Sequence, residues 1–284
     1  MEEPSESRAK GESSEILEQG DIFFFYRPKV ETADSQKPVR SIDDIRRFFM
    51  ITAPTFREGS GKGKKAKDRK GASPALKYRL FVIGKKSLPE VRTTEARRSE
   101  RYWAKVGGIF EKAEDLTHEL LAPEYRKGDE ARPVGEGKYA IVKHHDHAEL
   151  AYLLELPKEP GEAQQELGIE KEASYIVSVI NPKIPVPAGY PSSEQPPKYP
   201  DSVLSDFDDN ENFISLARNP DFINFPNAQI ILVGARVGKD VLKQEMKINI
   251  REEEENIHSA DIFDRLRIER QNVPTKPLVE GKFE

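Results

Sequence analysis

The chain of 284 residues has no cysteine, a single tryptophan and only three methionines. Without cysteine it can have no disulfide framework, no thiol nucleophile and no cysteine-ligated zinc site. No apolar run approaches the ~18 residues of a membrane span. The first 20 residues are polar and acidic, unlike a signal peptide. These absences predict a soluble protein of the cytoplasm or nucleus that has no membrane partner.

Apolar content is also low. Hydrophobic residues make up 36% of the chain, and the 18 glycines raise the total to about 42%, below the usual ~45–50%. Charged residues reach 33%, above the usual ~25%. The net charge of −5 excludes a globally basic nucleic-acid-binding surface, although it leaves room for a local basic patch. This balance predicts an apolar core interrupted by long solvated segments.

Composition divides the chain into segments. We predict a disordered acidic tail over 1–19, an α+β core over 20–250 and a charged helix with a frayed C-terminal tail over 251–284. Within the core, the stretch 57–75 is basic and lacks apolar periodicity, so we expect a disordered loop. The stretch 182–212 holds seven of the 21 prolines and an acidic run, and we expect an extended connector there.

Seven segments of about six residues are rich in Val, Ile, Phe and Tyr and are bounded by Gly, Pro or Asn, which is typical of strands. They are Ile22–Tyr26, Arg47–Ala53, Tyr78–Ile83, Lys138–Lys143, Leu150–Leu156, Ser174–Ile180 and Gln229–Val233. The first is apolar on both faces, which indicates a strand between two layers or in the wall of a closed barrel.

Helical spacing is rarer. It occurs over Phe110–Leu121 and Asp240–Ile250, more weakly over Asp261–Arg270, and Ser41 has the character of an N-cap. The sequence therefore predicts an α+β fold whose sheet is mostly antiparallel, arranged as one or two β lobes with a few flanking helices.

A strand pattern recurs in the two halves of the chain. A Gly-led strand is followed by a strand that ends near Ala53-Pro54 in the first half and Leu156-Pro157 in the second, and a third strand comes after an insertion. Internal duplication would produce this order. Generic strand composition would produce it as well, since all strands follow one alternation rule.

The strongest chemical signal is a histidine cluster. Three of the five histidines, His144, His145 and His147, lie within four residues between two predicted strands. Imidazole is a common ligand of zinc, iron and copper. If strand geometry persists, His145 and His147 share a face with Glu149. The alternative is a polar hairpin tip without a ligand. We predict no cofactor, although a divalent metal would fit the interpretation of the histidines as ligands.

A second signal is a run of basic residues between Arg57 and Gly71 with a local charge of +5. Its members after Arg57 are Lys62, Lys64, Lys65, Lys67, Arg69 and Lys70. Such an arm can hold phosphates without reading sequence, and it resembles a nuclear import signal. No aromatic residue is interleaved for base stacking, so only weak, non-specific nucleic-acid contact is predicted, and a solvated loop explains the run equally simply.

Two further patterns are incomplete. Gly234 and Gly238 are separated by three residues and Asp240 follows Lys239, whereas a Walker loop needs four residues and a hydroxyl. Asp206 and Asp208 begin like a calcium loop, but the required glycine and the bidentate glutamate are absent. No catalytic motif is present, so enzyme activity is left open.

Several segments resemble a widespread family of uncharacterised proteins, among them GDIFFFYRPKV, SIDDIRRFFMI, YRLFVIGKKSLPE, ERYWAKV and HAELAYLLELP. The resemblance covers residues 19–182 and weakens towards QIILVGAR. Some members carry the label "BTB domain transcription factor", but the early His-Lys/Arg-x-x-Leu helix of a BTB domain does not occur here. The resemblance implies a shared core and supplies no catalytic residues.

Taken with the composition, these signals predict an intracellular binding or interaction module with a protein partner. The alternative is a metal-binding protein or metal-dependent enzyme that uses His144, His145 and His147.

Overall fold

The computed structural model describes residues 15–29, 38–57, 76–91, 100–121, 130–191, 195–237 and 261–283. Strands dominate this part of the chain. They are β1 (Glu15–Pro28), β2 (Ile45–Arg57), β3 (Tyr78–Ile83), β4 (Arg101–Phe110), β5 (Arg132–Lys143), β6 (Ala148–Leu156), β7 (Glu172–Ile180), β8 (Phe213–Ser215) and β9 (Gln229–Val237).

The helices of the described residues are short. They are α1 (Ala113–Leu121), α2 (Glu162–Glu166), α3 (Asp201–Leu204), α4 (Asp261–Leu266) and α5 (Lys276–Glu280), with 3₁₀ turns at Ile42–Asp44, Pro220–Asn224 and Arg270–Asn272. The capping function of Ser41 is confirmed, because its Oγ accepts a hydrogen bond from the Asp43 backbone at 3.3 Å. No helix among the described residues is both long and apolar enough to cross a membrane.

Eight strands close into one antiparallel barrel in the order β1, β2, β3, β4, β9, β7, β6 and β5, and β5 pairs back with β1. The short strand β8 pairs with β7 beside this barrel. Because β6 pairs with both β5 and β7, the sheet has no free edge at that point. The fold is thus mostly β, and its strands form a cylinder.

The predicted α+β arrangement with one or two lobes is therefore wrong, although the antiparallel pairing is confirmed. Strands that we placed in separate halves pair directly, since β1 pairs with β5 along Glu15–Tyr26. Period-two alternation predicts where a strand runs but carries no information about its neighbour. Which strands pair depends on the closure of the whole barrel.

Alternate residues of β1 point into the barrel. Ile22, Phe24 and Tyr26 are fully buried in its interior, where the Phe24 ring packs edge-to-face on Tyr152 at 5.3 Å. An eight-stranded barrel is just wide enough for side chains of this size to fill it. The barrel interior is accordingly the main core of the protein.

The residues between them, Phe23 and Phe25, point outward and are equally buried. They belong to a second core between the outer faces of β1–β3 and the helices α1 and α4. Its other buried members include Phe49, Ile51, Leu80, Leu116, Leu120, Ile262, Phe263, Leu266, Val273 and Leu278. The two apolar faces of β1 thus have separate partners, as a strand in a covered barrel wall requires.

Regular structure extends into both segments that we predicted as tails. The first strand begins at Glu15, inside the segment that we assigned to a disordered tail. At the other end, the predicted frayed tail packs on the barrel, with Leu278 fully buried and the Phe283 ring edge-to-face on Tyr26 at 5.8 Å. The apolar contacts are too widely spaced in sequence to show as a periodic pattern.

The sequence also left strand β4 unpredicted. Its Ala104 and Val106 follow strand alternation, but Gly107 and Gly108 interrupt the apolar run. The register shift between Leu80 and Phe81 opposite this point indicates a bulge, which a glycine-containing strand accommodates. The predicted helix Phe110–Leu121 starts three residues later, because Phe110 is the last residue of β4. The predicted helix over 240–250 lies outside the described residues.

Candidate metal centre

A tight turn joins β5 to β6. It comprises residues 144–147, and the backbone N–H of His144 donates to the carbonyl of His147 at 2.8 Å. This hydrogen bond closes the hairpin immediately after Lys143, where the strand ends. The three clustered histidines therefore lie on a turn, as the hairpin-tip interpretation expected, and strand alternation does not continue through them.

The turn brings together a different histidine pair from the one that alternation predicted. The rings of His144 and His147 are stacked, with centroids 5.0 Å apart and planes at 25°. His145 is exposed to solvent. Because the backbone reverses direction between Lys143 and Ala148, residues three apart, and not two apart, face each other.

Glu149 on β6 completes the cluster. It alternates with the interior residue Leu150, so its side chain is on the outer face of the barrel wall, yet only 2% of it is exposed. One carboxylate oxygen lies 3.2 Å from Nε2 of His147, and the other accepts a hydrogen bond from Oγ of Ser174 at 2.9 Å. The position of Glu149 was anticipated, but Ser174 on β7 was not, since only strand pairing brings it near.

The three residues converge. His144, His147 and Glu149 each offer a ligand atom, and these atoms lie within 4.8 Å of one another. Ligand atoms on a tetrahedral zinc ion are about 3.3 Å apart, from zinc–nitrogen distances of ~2.0–2.1 Å. The His147–Glu149 pair already has this spacing. The Nε2 atom of His144 is buried.

Asp146 orients His147 from the opposite side of the ring. Its carboxylate lies 2.7 Å from Nδ1 of His147. Burial by itself lowers the pKa of His147, but the hydrogen bonds to Asp146 and Glu149 outweigh it and raise this pKa above its ordinary value. A carboxylate on Nδ1 leaves Nε2 as the nitrogen that can bind a metal, which is the arrangement found behind many metal-bound histidines.

Only one residue of the basic run belongs to the described part of the chain. Lys62, Lys64, Lys65, Lys67, Arg69 and Lys70 lie outside the described residues. Arg57, which we counted with them, is the last residue of β2 and is buried. Its guanidinium binds Asp221 at 2.5 Å and lies 3.9 Å from Glu18. It is therefore not available to an external phosphate.

The acidic loop near Asp206 is contacted by a lysine. The Lys183 ammonium donates hydrogen bonds to the Phe207 carbonyl at 2.8 Å and to the Asp209 carboxylate at 2.9 Å. Asp206 accepts a hydrogen bond from Asn219 at 2.6 Å. These contacts give Asp206 and Asp209 partners within the protein.

The glycine at the start of the Walker-like stretch lies within a strand. Gly234 belongs to β9, and a side chain there would approach the Glu90 carbonyl to 2.1 Å. The glycine thus permits close contact between two backbone segments. Strand β9 continues through Gly234 to Val237, and Gly238, Lys239 and Asp240 lie outside the described residues.

A polar network inside the barrel escaped sequence reasoning. The Glu18 carboxylate accepts hydrogen bonds from the guanidinium of Arg79 and, at 2.6 Å, from the hydroxyl of Tyr139. All three residues are buried. The signal in the sequence was the parity of Arg79, which shares the inward face of its strand with Phe81 and Ile83. The adjacent Glu18 carboxylate compensates the charge of Arg79, whereas its Nε and Nη1 atoms are buried without a hydrogen-bond partner among the described residues.

Fold and cluster together define a class of protein, an eight-stranded antiparallel barrel with a histidine- and carboxylate-containing turn on its wall. Comparison with protein-family models, with curated proteins and with solved structures gives no significant match. The family resemblance over residues 19–182 therefore stays a prediction, and the function is argued from the geometry of the site.

Proposed function

We propose that this protein binds one divalent transition-metal ion at the β5–β6 turn, with His144, His147 and Glu149 as ligands. The single observation that supports the proposal is the convergence of these three side chains within 4.8 Å. Two imidazoles and one carboxylate suit zinc and its neighbours in the first transition row. Calcium and magnesium prefer oxygen ligands, so the set disfavours them.

The arrangement of the surrounding groups supports the same proposal. Ser174 holds one oxygen of Glu149, and Asp146 holds the Nδ1 nitrogen of His147. Outer contacts of this kind orient the ligands of metal sites and typically change metal affinity 10–100-fold when removed. A metal ion at this position would take the place of a proton on Nε2 of His147, because metal-binding imidazoles are deprotonated at the ligand nitrogen.

The test is zinc binding by the full chain, measured by isothermal titration calorimetry against a weak competing chelator. We expect one equivalent to bind the unmodified protein. His147→Ala should weaken binding at least about tenfold, because it removes one ligand of three. Glu149→Gln should act in the same direction, since the amide carries no charge.

The matched control is His145→Ala, which removes an exposed histidine from the same turn. It should leave the affinity and the stoichiometry unchanged. Equal binding by the unmodified protein and His147→Ala, or no binding above the level of the competing chelator, would overturn the proposal in favour of a hairpin tip without a metal.

A further inference from the structure

We infer that a metal ion at this turn keeps one coordination position open and binds a small monoanion there, an inference that rests on the proposed function. Among the described residues, three side chains offer converging ligand atoms. Structural zinc sites have four protein ligands, whereas sites that bind an exogenous ligand have three and an open position.

Glu149 can supply only one oxygen. Its second oxygen accepts the hydrogen bond from Ser174 at 2.9 Å, and both residues are buried in the barrel wall. Chelation by both oxygens would break this hydrogen bond and leave the Ser174 hydroxyl without its acceptor, which is costly for a buried group. The carboxylate is therefore a monodentate ligand.

The neighbouring residues of the turn cannot supply a fourth ligand. The Asp146 carboxylate is bound to Nδ1 of His147. Because the two nitrogens of an imidazole ring point in different directions, this carboxylate lies away from a metal held at Nε2. His145 is exposed and does not belong to the convergent set. Among the described residues, the set of converging ligand atoms therefore ends at three.

The open position faces solvent. Glu149 approaches from the barrel wall with 2% of its side chain exposed, whereas His147 is 30% exposed and Asp146 is 83% exposed. An external molecule can reach the ion from the side of the turn. The ligand class follows from charge, since two neutral imidazoles and one carboxylate leave a divalent ion with one net positive charge. A monoanion such as a carboxylate, azide or hydroxide would neutralise it.

The test uses the full chain loaded with Co²⁺, which has visible absorption bands that report its coordination, and titrates it with sodium azide. We expect a saturable change of the cobalt spectrum that fits one azide per protein. His145→Ala should behave like the unmodified protein. Ser174→Ala should keep the cobalt bands but lose the azide response, because the freed oxygen of Glu149 can then occupy the open position.

The outcomes separate the two proposals. If Co²⁺ gives no protein-bound spectrum that depends on His147, the metal site itself is refuted and this inference falls with it. If the bound cobalt spectrum is present, is lost in His147→Ala and is unchanged by saturating azide, the metal site stands and the open position is refuted.

Discussion

Arg79 shows how this protein keeps a charge inside a barrel of aromatic side chains. Its side chain is 1% exposed, and Glu18 beside it is 2% exposed. Burial disfavours the charged guanidinium, but the adjacent carboxylate outweighs this and raises the pKa of Arg79 above its ordinary value. Since a buried pair is costly to break from one side, the two residues are expected to be sensitive to single substitution.

Buried tyrosines give the protein a specific response to alkaline pH. Burial raises the pKa of Tyr139, Tyr152, Tyr175 and Tyr199 above that of an exposed tyrosine. Below pH ~10 these hydroxyls are protonated in both the folded and the unfolded chain, so they cause no pH dependence. Above it, the unfolded chain loses protons that the folded chain retains, and stability falls.

We predict that each such tyrosine contributes a decrease of about 1.4 kcal/mol per pH unit in the free energy of unfolding above pH ~10. Urea unfolding between pH 9 and 11 measures this slope. Tyr175→Phe should reduce the slope by the contribution of one tyrosine. A free energy of unfolding that stays constant over this range would contradict the prediction.

At the scale of elements, the two halves of the barrel follow the same plan. Strands β1–β4 form one four-stranded meander, and β5, β6, β7 and β9 form a second, with β1 beside β5 and β4 beside β9. Gly20 and Gly137 both lie at register shifts between the first two strands of their meander. A side chain would approach the Ala53 carbonyl to 2.2 Å at Gly20 and the Leu153 carbonyl to 1.9 Å at Gly137. This correspondence favours internal duplication, which remains a hypothesis.

Two adjacent leucines of strand β6 lie on opposite faces of the barrel wall. Leu154 is fully buried in the barrel interior, whereas Leu153 is partly buried on the outer face. We predict that Leu154→Ala lowers the free energy of unfolding by about 2–5 kcal/mol, through lost burial and a residual cavity. Leu153→Ala should lower it by about 1 kcal/mol, as partly exposed substitutions do.

Chemical denaturation of both variants measures the difference, and the pair controls for the loss of a leucine as such. Equal losses of stability would mean that strand β6 does not have the register given by its pairing with β5.

At the scale of the whole molecule, the C-terminal segment contacts both cores of the protein. Its helix α4 packs in the core on the outer faces of β1–β3, whereas Phe283 packs on the interior residue Tyr26. Glu136 on β5 anchors the start of the segment by accepting hydrogen bonds from the backbone of Asp261 at 3.0 Å and of Ile262 at 2.8 Å. Lys138 adds contacts to Asp261 at 2.5 Å and to Asp21 at 3.0 Å. The C-terminal segment is thus an integral part of the fold.

The nucleic-acid contact predicted for the basic run depends on the charge of the whole molecule. The six basic residues from Lys62 to Lys70 stand in a chain of net charge −5, so we predict only weak association with duplex DNA, falling steeply as salt rises. Deletion of residues 60–71 should abolish it without changing the thermal midpoint. Fluorescence anisotropy over a salt series measures both the affinity and its salt dependence. Sequence-specific binding that is insensitive to salt would contradict this role.

The sequence by itself determined the strands, because alternation of apolar residues depends only on neighbours along the chain. It located seven of the nine strands among the described residues, the capped turn at Ser41 and the turn that contains His144 and His147. It did not determine the barrel, the second core around Phe23 or the participation of Ser174, since these depend on which strands pair. The sequence also predicted His145 as the partner of His147 in the cluster, whereas the structure places His144 there. Alternation holds within a strand, but the direction of a side chain in a turn is set by the hydrogen bond that closes the hairpin.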